Sequence, residues 1–401
     1  MEPSHSLKRT LGLSRLVLYG AGTILGAGIY VLVGEVAGAS GNFSVLAFLL
    51  AGIIVAFSAY SFALLARRYP VSAGPAAYVH EAFRRPWLAT LVGYAIIAAA
   101  IVSSATIARG FTGYLLFFVD IPPWLAIVFF AGVLTFIAAR GVDVSVGTAV
   151  IITLIEIAGL CLVVYAARDS LHHAWDNPGH FLLPKEIADL RGIALGAFLA
   201  FYACIGFEDM VNMAEEVKKP EKNLPLGIAI VLIVTTLLYA LVTLAALTAV
   251  PRELLAGSQA PLALVIEYKS TLPPWIMGIV SMAAVTNGAL IQIIMGSRVL
   301  YGMARRRLAP ASMARIHPRT RIPHLATLFV GGCVLLFALL LPLATLAKLT
   351  SGVILGIFTL VNLALIAIHR REGVSGWLKN GVPLVGAILC VCFVLAQLLI
   401  E

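Results

Sequence analysis

Long runs of apolar residues alternate along the chain with short segments rich in charge, proline and glycine. A helix needs roughly 20 apolar residues to cross a bilayer core about 30 Å thick, and the pattern supplies eleven such runs. These predicted spans, numbered 1 to 11, cover residues 12–34, 43–65, 87–118, 124–139, 146–167, 193–214, 226–249, 275–304, 326–341, 346–368 and 382–400. The segments between them are too short for a separate domain, so residues 1–401 are predicted to form one all-α integral membrane domain.

The amino-acid composition excludes a soluble protein. Hydrophobic residues make up 61% of the chain and charged residues only 12%, whereas a soluble domain is about a quarter charged. The net charge of +9 would suit nucleic acid, but the basic residues gather in alternate short loops, such as 218–222 and 305–307, as the positive-inside rule requires. The predicted partner is therefore the lipid bilayer and not a nucleic acid. The prediction is a multi-pass protein of the plasma (inner) membrane with its N-terminus in the cytoplasm.

Two of the spans are interrupted at mid-membrane depth. Span 1 carries four glycines between residues 20 and 28, and span 6 carries Gly206 followed two and three residues later by Glu208 and Asp209. Each interrupted span opens a group of five, at about 12–167 and 193–368, and an odd number makes the second group enter the membrane in the opposite sense. Interrupted helices at matching places in two inverted repeats point to a transporter's binding site. Taken alone, Gly22 and Gly26 also form a GxxxG motif, which more often marks helix packing.

Three stretches of sequence resemble the amino acid–polyamine–organocation superfamily. Residues 24–30, Ile-Leu-Gly-Ala-Gly-Ile-Tyr, are similar to its helix 1 motif, and residues 203–225 are similar to its helix 6 with the loop that follows. Residues 287–310 resemble the end of helix 8. The resemblance covers the first ten spans and implies a leucine-transporter-like fold of five plus five inverted helices, with helices 1 and 6 discontinuous. Family members commonly have twelve helices, so the C-terminal end departs from the pattern.

The resemblance also implies a substrate site at the two interruptions. Backbone amides at the start of a half-helix suit a carboxylate, and backbone carbonyls that end a half-helix suit an ammonium group. Tyr202 holds the position of an aromatic residue that closes over substrate, although it could equally be a core aromatic. The predicted substrate-binding residues are Ile24, Ala27, Gly28, Tyr202, Ile205, Gly206 and Gln292, with Ile97, Ile101 and Ser104 as further side-chain contacts. That pocket shows no buried acid for a cationic side chain, which favours neutral L-amino acids.

Acidic residues inside the spans are functional candidates by default. Glu156 lies in the middle of span 5, where many relatives have lysine, and is expected near the break of span 1 and near residues 286–287 of span 8. Burial disfavours its charged form, so Glu156 is predicted to bind a proton reversibly and to couple transport to protons. The alternative is a neutral glutamic acid that only bridges helices.

Glu208 and Asp209 follow the break of span 6. Both could cap the free amides of the half-helix, or one of them could act in a gate. Only one is expected to face the axis, and Glu208 is the predicted gate residue together with Tyr202.

The sequence therefore predicts a secondary active transporter of amino acids, working by proton-coupled symport and alternating access. An exchanger of amino acids or polyamines without proton coupling is the alternative, followed by a membrane sensor that binds substrate without moving it. An enzyme is not expected, because the spans hold no nucleophile–base pair and no metal-ligand motif. No cofactor and no metal are predicted.

Overall fold

The computed structural model describes residues 9, 11–26, 28–70, 74–140, 146–317 and 322–400. Helices dominate this part of the chain, and it contains no β-sheet. The α-helices are α1 Leu13–Leu25, α2 Gly28–Ser40, α3 Ser44–Arg68, α4 Gly74–Phe83, α5 Pro86–Leu115, α6 Pro123–Arg140, α7 Val146–Ala166, α8 His172–Asp176, α9 Gly179–Leu182, α10 Ile187–Ala203, α11 Phe207–Asn212, α12 Pro220–Ala249, α13 Arg252–Gly257, α14 Pro261–Lys269, α15 Trp275–Arg305, α16 His324–Leu340, α17 Leu343–Arg371 and α18 Val382–Ile400.

A helix or a pair of helices lies at each of the eleven predicted spans. Span 1 is divided into α1 and α2, and span 6 into α10 and α11. Among the described residues, nine helical stretches are long and apolar enough to cross a membrane. That number is below eleven because α2 and α3 count as one stretch, Gly28–Arg68, while α1 and α16 are shorter than the length such a count requires.

Two helices begin six residues before their predicted starts: α10, which begins at Ile187 where span 6 was predicted from residue 193, and α12. Span 7 was predicted from residue 226, after Pro225, whereas α12 begins at Pro220. Proline fits the first position of a helix, where its missing N–H has no intrahelical partner in any case. Pro225 lies so near the start that it removes only one hydrogen bond of the helix.

The helices at the first three equivalent places in the two predicted repeats pack against each other. The pair α2 and α10 belongs to spans 1 and 6, α3 and α12 to spans 2 and 7, and α5 and α15 to spans 3 and 8. Pairing of each span with the span five places later is what two inverted repeats around a pseudo-two-fold axis produce. The short helix α1 lies inside this arrangement, in contact with α7, α11 and α12.

The segment before α1 pairs with the segment after α11. The Leu11 N–H donates to the Glu216 carbonyl oxygen at 3.0 Å, and the Lys218 N–H donates to the Leu11 carbonyl oxygen at 2.8 Å. Leu11 and Val217, which face each other in this single parallel β-bridge, are both buried. The outer ends of the two interrupted half-helices are thus joined through their backbones.

Candidate substrate site between the two helix breaks

The break of span 6 is a three-residue turn around Gly206. Helix α10 ends at Ala203, and α11 begins at Phe207. Gly206 has φ +129°, in a region of backbone conformation that residues with a Cβ rarely enter. A Cβ on Gly206 would also lie 2.6 Å from the Thr23 carbonyl oxygen of α1. The Thr23 hydroxyl donates to the Gly206 carbonyl at 3.0 Å, so the two breaks touch at this point.

The break of span 1 separates α1, which ends at Leu25, from α2, which begins at Gly28. The predicted site residue Ala27 lies outside the described residues. Gly28 is buried directly against α10, where a Cβ would overlap the Cα of Ala203. Glycine is required here for close helix packing, so a larger side chain at residue 28 would push α2 and α10 apart as well as approach the predicted carboxylate site.

Tyr239 of α12 connects the two broken helices, and the sequence analysis missed it. Its hydroxyl group lies 2.7 Å from the Ile24 carbonyl oxygen and 3.1 Å from the Ala203 carbonyl oxygen, and its side chain is fully buried. The carbonyl of Ile24, predicted to meet the substrate ammonium, therefore already has a donor within the protein. The available signal was a lone tyrosine in an otherwise apolar span, because a buried tyrosine hydroxyl needs a partner.

Replacing Tyr239 with phenylalanine is expected to lower both stability and transport. The variant keeps the ring but leaves two buried carbonyl groups without their donor, a loss of about 1–3 kcal/mol. Thermal unfolding in detergent and initial rates of substrate uptake would measure the two effects. Tyr268→Phe is the matched control, because Tyr268 is an exposed tyrosine of α14. Equal behaviour of the two variants would contradict a linking role for Tyr239.

Tyr202 is held by α5. Its hydroxyl lies 3.1 Å from the Ser103 hydroxyl and donates to the Ser103 carbonyl at 3.2 Å. The side chain is buried, in the centre of the molecule where an aromatic gate or a core aromatic would both lie.

The face of α5 that borders the cavity beside the break of span 6 carries other residues than the predicted contacts. Ile97, Ile101 and Ser104 were predicted to contact substrate, and all three are buried. Ser104 instead donates to the Ala289 carbonyl of α15 at 3.4 Å. The α5 residues at the cavity described below are Ile96, Ala99 and Ser103, and the three predicted contacts are not in its lining. Because α5 is enclosed on most sides, its sequence has no polar stripe that would fix the orientation.

A narrow cavity of about 40 Å³ lies beside the break of span 6. That volume accommodates one or two water molecules, so an amino acid requires the surrounding helices to separate. The lining residues are Phe62, Pro75, Ile96, Ala99, Ser103, Ile205, Glu208, Asp209, Asn212, Gln292, Met295, Thr350, Ile354, Ile357 and Phe358. Of the predicted site residues, the cavity brings together Ile205, Gln292 and Glu208, whereas Ile24, Gly28, Tyr202 and Gly206 lie outside its lining.

Both acidic residues of α11 reach the cavity, although only one was expected to do so. The Glu208 carboxylate also accepts a hydrogen bond from the Gly206 N–H at 2.9 Å, which is the capping contact considered in the sequence analysis. Asp209 is the more deeply buried of the two, with 4% of its surface exposed. Glu208 thus caps a free amide at the break, and Glu208 and Asp209 together form a polar wall of the cavity.

Glu156 of α7 is fully buried next to the break of span 1. One carboxyl oxygen lies 3.7 Å from the position of a Cβ on Gly26, and the Ala284 carbonyl of α15 lies 3.1 Å from that position. Among the described residues, neither carboxyl oxygen has a hydrogen-bond partner. An unpaired charge in such a place is costly, so this arrangement fits the protonated, neutral side chain.

Two tyrosines extend the surroundings of Glu156 towards α5. The Tyr30 hydroxyl of α2 donates to the backbone carbonyl of Glu156 at 2.5 Å, and the Tyr114 hydroxyl of α5 donates to the carbonyl of Tyr30 at 2.5 Å. On the other side, a Cβ on Gly22 would overlap the Thr153 hydroxyl. The glycines of α1 therefore pack closely on α7, so the GxxxG contact and the helix break occur together.

An all-helical membrane fold with two broken helices that meet beside a narrow cavity defines a transporter of the inverted-repeat class. The chain belongs to the amino acid permease family, whose family model matches residues 11–401. The superfamily and the fold class predicted from the sequence are confirmed.

Named relatives are transporters or permeases and not enzymes. The branched-chain amino acid permease BcaP of Bacillus subtilis is 28% identical over 396 residues, which cover 92% of this chain and 82% of BcaP. The vacuolar cationic amino acid transporter 4 of Arabidopsis thaliana is 30% identical over 95% of this chain, which spans 65% of the plant protein. The methylthioribose transporter of Bacillus subtilis is 28% identical, covering 92% of this chain and 83% of that protein.

A solved structure shares the fold. MhsT in complex with L-phenylalanine superposes with a TM-score of 0.67, covering 96% of this chain and 98% of MhsT at 15% sequence identity. At that identity the likeness concerns the fold alone.

Proposed function

We propose that the protein is a secondary active transporter that moves amino acids together with protons by alternating access. Membership of the amino acid permease family supports amino acids as the substrate class. The observation that carries proton coupling is the carboxyl group of Glu156, buried and without a hydrogen-bond partner among the described residues, between the break of span 1 and α15.

The backbone ends at the two breaks would replace the water that surrounds a free amino acid. The N-terminus of α2 presents backbone amides and the positive end of a helix dipole to the substrate carboxylate. The carbonyls at Ile24, Tyr202 and Ile205 end half-helices and would accept from the ammonium group. Because Tyr239 already bonds to the carbonyls of Ile24 and Ala203, substrate binding would have to share or displace its hydroxyl group.

A proton on Glu156 would complete the cycle. Protonation from outside neutralises the side chain and allows α1 to pack against α7 and α15. Release of that proton to the inside restores a buried anion, which loosens the same contact and favours the return of the empty transporter. Uptake should therefore rise as the external pH falls.

The side chain of the substrate is a separate question. The prediction of neutral amino acids relied on the lack of a buried acid near the site, and two carboxyl groups now line the cavity. The relatives are themselves named for branched-chain amino acids, cationic amino acids and methylthioribose.

Uptake of labelled amino acids into proteoliposomes tests the proposed function. Accumulation above equilibrium under an inward proton gradient, abolished by a protonophore, is the expected result. Movement that occurs only against a preloaded amino acid would replace symport by exchange. Binding without any movement would leave the sensor alternative.

We further propose that the protein lies in the plasma membrane with its N-terminus in the cytoplasm, on the basis of the loop charges. Single cysteines can be introduced in place of Lys222, Arg306 and His180, after replacement of the five native cysteines. We expect reagents that cannot cross the membrane to label the His180 position from outside and the other two positions only from inside. The reverse pattern would overturn the orientation.

A further inference from the structure

The cavity beside the break of span 6 has acidic side chains in its lining but no basic ones. Its described lining residues include two carboxyl groups, those of Glu208 and Asp209, and no lysine, arginine or histidine. The whole chain, in contrast, has a net charge of +9. The acidic character of the cavity is therefore local and does not follow from the overall composition.

Neither carboxyl group is neutralised by a close cation in the part of the chain that the structure describes. Neither is a member of the ion pairs found there, which are exposed and join Arg68 to Glu372, Arg168 to Asp169 and Arg252 to Glu253.

A basic residue of α15, Arg298, lies outside the cavity lining. Tyr19 lies within electrostatic range of both Asp209 and Arg298, and neither Tyr19 nor Arg298 belongs to the cavity lining. A positively charged group inside the cavity would thus meet the two carboxyl groups without a competing cation in the lining.

The rest of the lining suits a methylene chain. Ile96, Ile354 and Phe358 supply apolar walls, and Ile205 lies at the break itself. Asp209 follows Gly206 by three residues, roughly 4.5 Å along a helix that rises 1.5 Å per residue. A substrate whose main chain is held at the break could reach the carboxyl groups with a side chain of the length of ornithine or lysine.

We propose that this cavity selects substrates whose side chain ends in a cation, such as lysine or ornithine, through the carboxylates of Glu208 and Asp209. The inference rests on the proposed function, because it takes the main-chain site to lie at the helix breaks. As at Glu156, burial without a partner favours the neutral form of these carboxyl groups, and a cation that enters the cavity stabilises the charged form as its ion-pair partner. A neutral side chain of similar length leaves both carboxyl groups without that partner.

The experiment measures selectivity. Initial uptake rates of labelled lysine and labelled leucine are compared in proteoliposomes at one pH, for the wild type and for the Glu208→Gln/Asp209→Asn double variant. The glutamine can still accept the Gly206 N–H, so the capping contact is kept. The matched control is Glu216→Gln/Glu221→Gln, which removes two negative charges near the same end of the molecule but outside the cavity lining.

The wild type is expected to prefer lysine, and the double variant to lower the lysine-to-leucine ratio of kcat/KM by about 100-fold, the loss expected when one partner of a buried charge pair is removed. The control is expected to keep the wild-type ratio. If the double variant does not fold, Asp209→Asn alone is measured, with a smaller change in the same direction.

Three results would overturn the proposal. If the wild type transports leucine and not lysine, a cationic substrate is excluded, while the proposed function stands. A parallel fall of both rates in the double variant, with the ratio unchanged, assigns the two acids to gating or proton transfer. If the control variant lowers the lysine-to-leucine ratio as much as the double variant does, the effect comes from the overall charge of the protein and not from the cavity. If no amino acid is taken up at all, it is the proposed function that fails.

Discussion

Glu156→Gln is expected to abolish the accumulation of amino acid that an inward proton gradient drives, while exchange of amino acid across the membrane persists. Glutamine keeps the size and the hydrogen-bonding shape of a protonated glutamic acid but cannot gain or lose a proton. The variant should therefore resemble the wild type with Glu156 permanently neutral. For one proton per substrate, a gradient of one pH unit supports up to about tenfold accumulation, and the variant should lose all of it.

The measurement is uptake of labelled amino acid with and without an imposed pH gradient, and uptake across a series of external pH values. Wild-type uptake should rise as the external pH falls, because in the proposed cycle protonation of Glu156 from outside precedes the inward movement. The rate of the variant should not depend on pH in this way. Glu267→Gln, an exposed acid of α14, serves as the control. Undiminished accumulation by the Glu156 variant would remove Glu156 from the coupling mechanism.

Gly206→Ala is expected to reduce uptake at least tenfold and to lower the unfolding temperature. Alanine at φ +129° is strained by about 1–3 kcal/mol. Its Cβ would in addition lie 2.6 Å from the carbonyl oxygen of Thr23, a backbone atom that cannot rotate away. The contact between the two breaks would have to open, and with it the geometry of the site.

A second alanine variant separates this effect from a general sensitivity to glycine replacement. Gly132 lies in the interior of α6, and a Cβ there would meet no atom within 4 Å. Gly132→Ala should leave uptake unchanged and should keep or slightly raise stability, because alanine is favoured over glycine inside a helix. If Gly206→Ala behaves like Gly132→Ala, the turn at Gly206 does not constrain the site.

Most of the fold could be predicted from the sequence because the lipid bilayer imposes a simple constraint on every span. Each span must be apolar over its full length and must satisfy its own backbone, so the hydrophobic runs and their breaks identify the helices. Gly206 and the acidic residues that follow it, Glu208 and Asp209, indicated one break, and the glycines around Gly26 indicated the other. The exact start of α12 could not be read in the same way, because a proline at Pro225 more often ends a helix than lies within one.

The details of the site were harder to predict because they depend on rotation about helix axes. Helix α5 is buried on most sides, so nothing in its sequence distinguished the face of Ser103 from the face of Ser104. Asp209 was expected to turn away because two adjacent residues point in directions about 100° apart on a helix. Both side chains nevertheless belong to the cavity lining. Tyr239 was missed because its partners are backbone carbonyls, which no side-chain pattern reveals.

The backbone pairing of Leu11 with Glu216 and Lys218 restricts how the transporter can open at this end of the broken helices. A hinge that swings α1 outward alone must first break two hydrogen bonds between buried segments and expose Leu11 and Val217. A hinge that carries α1 and α11 together leaves both bonds intact. The backbone contact therefore links α1 to the segment that follows α11, so that opening with both bonds intact requires the two half-helices to move together.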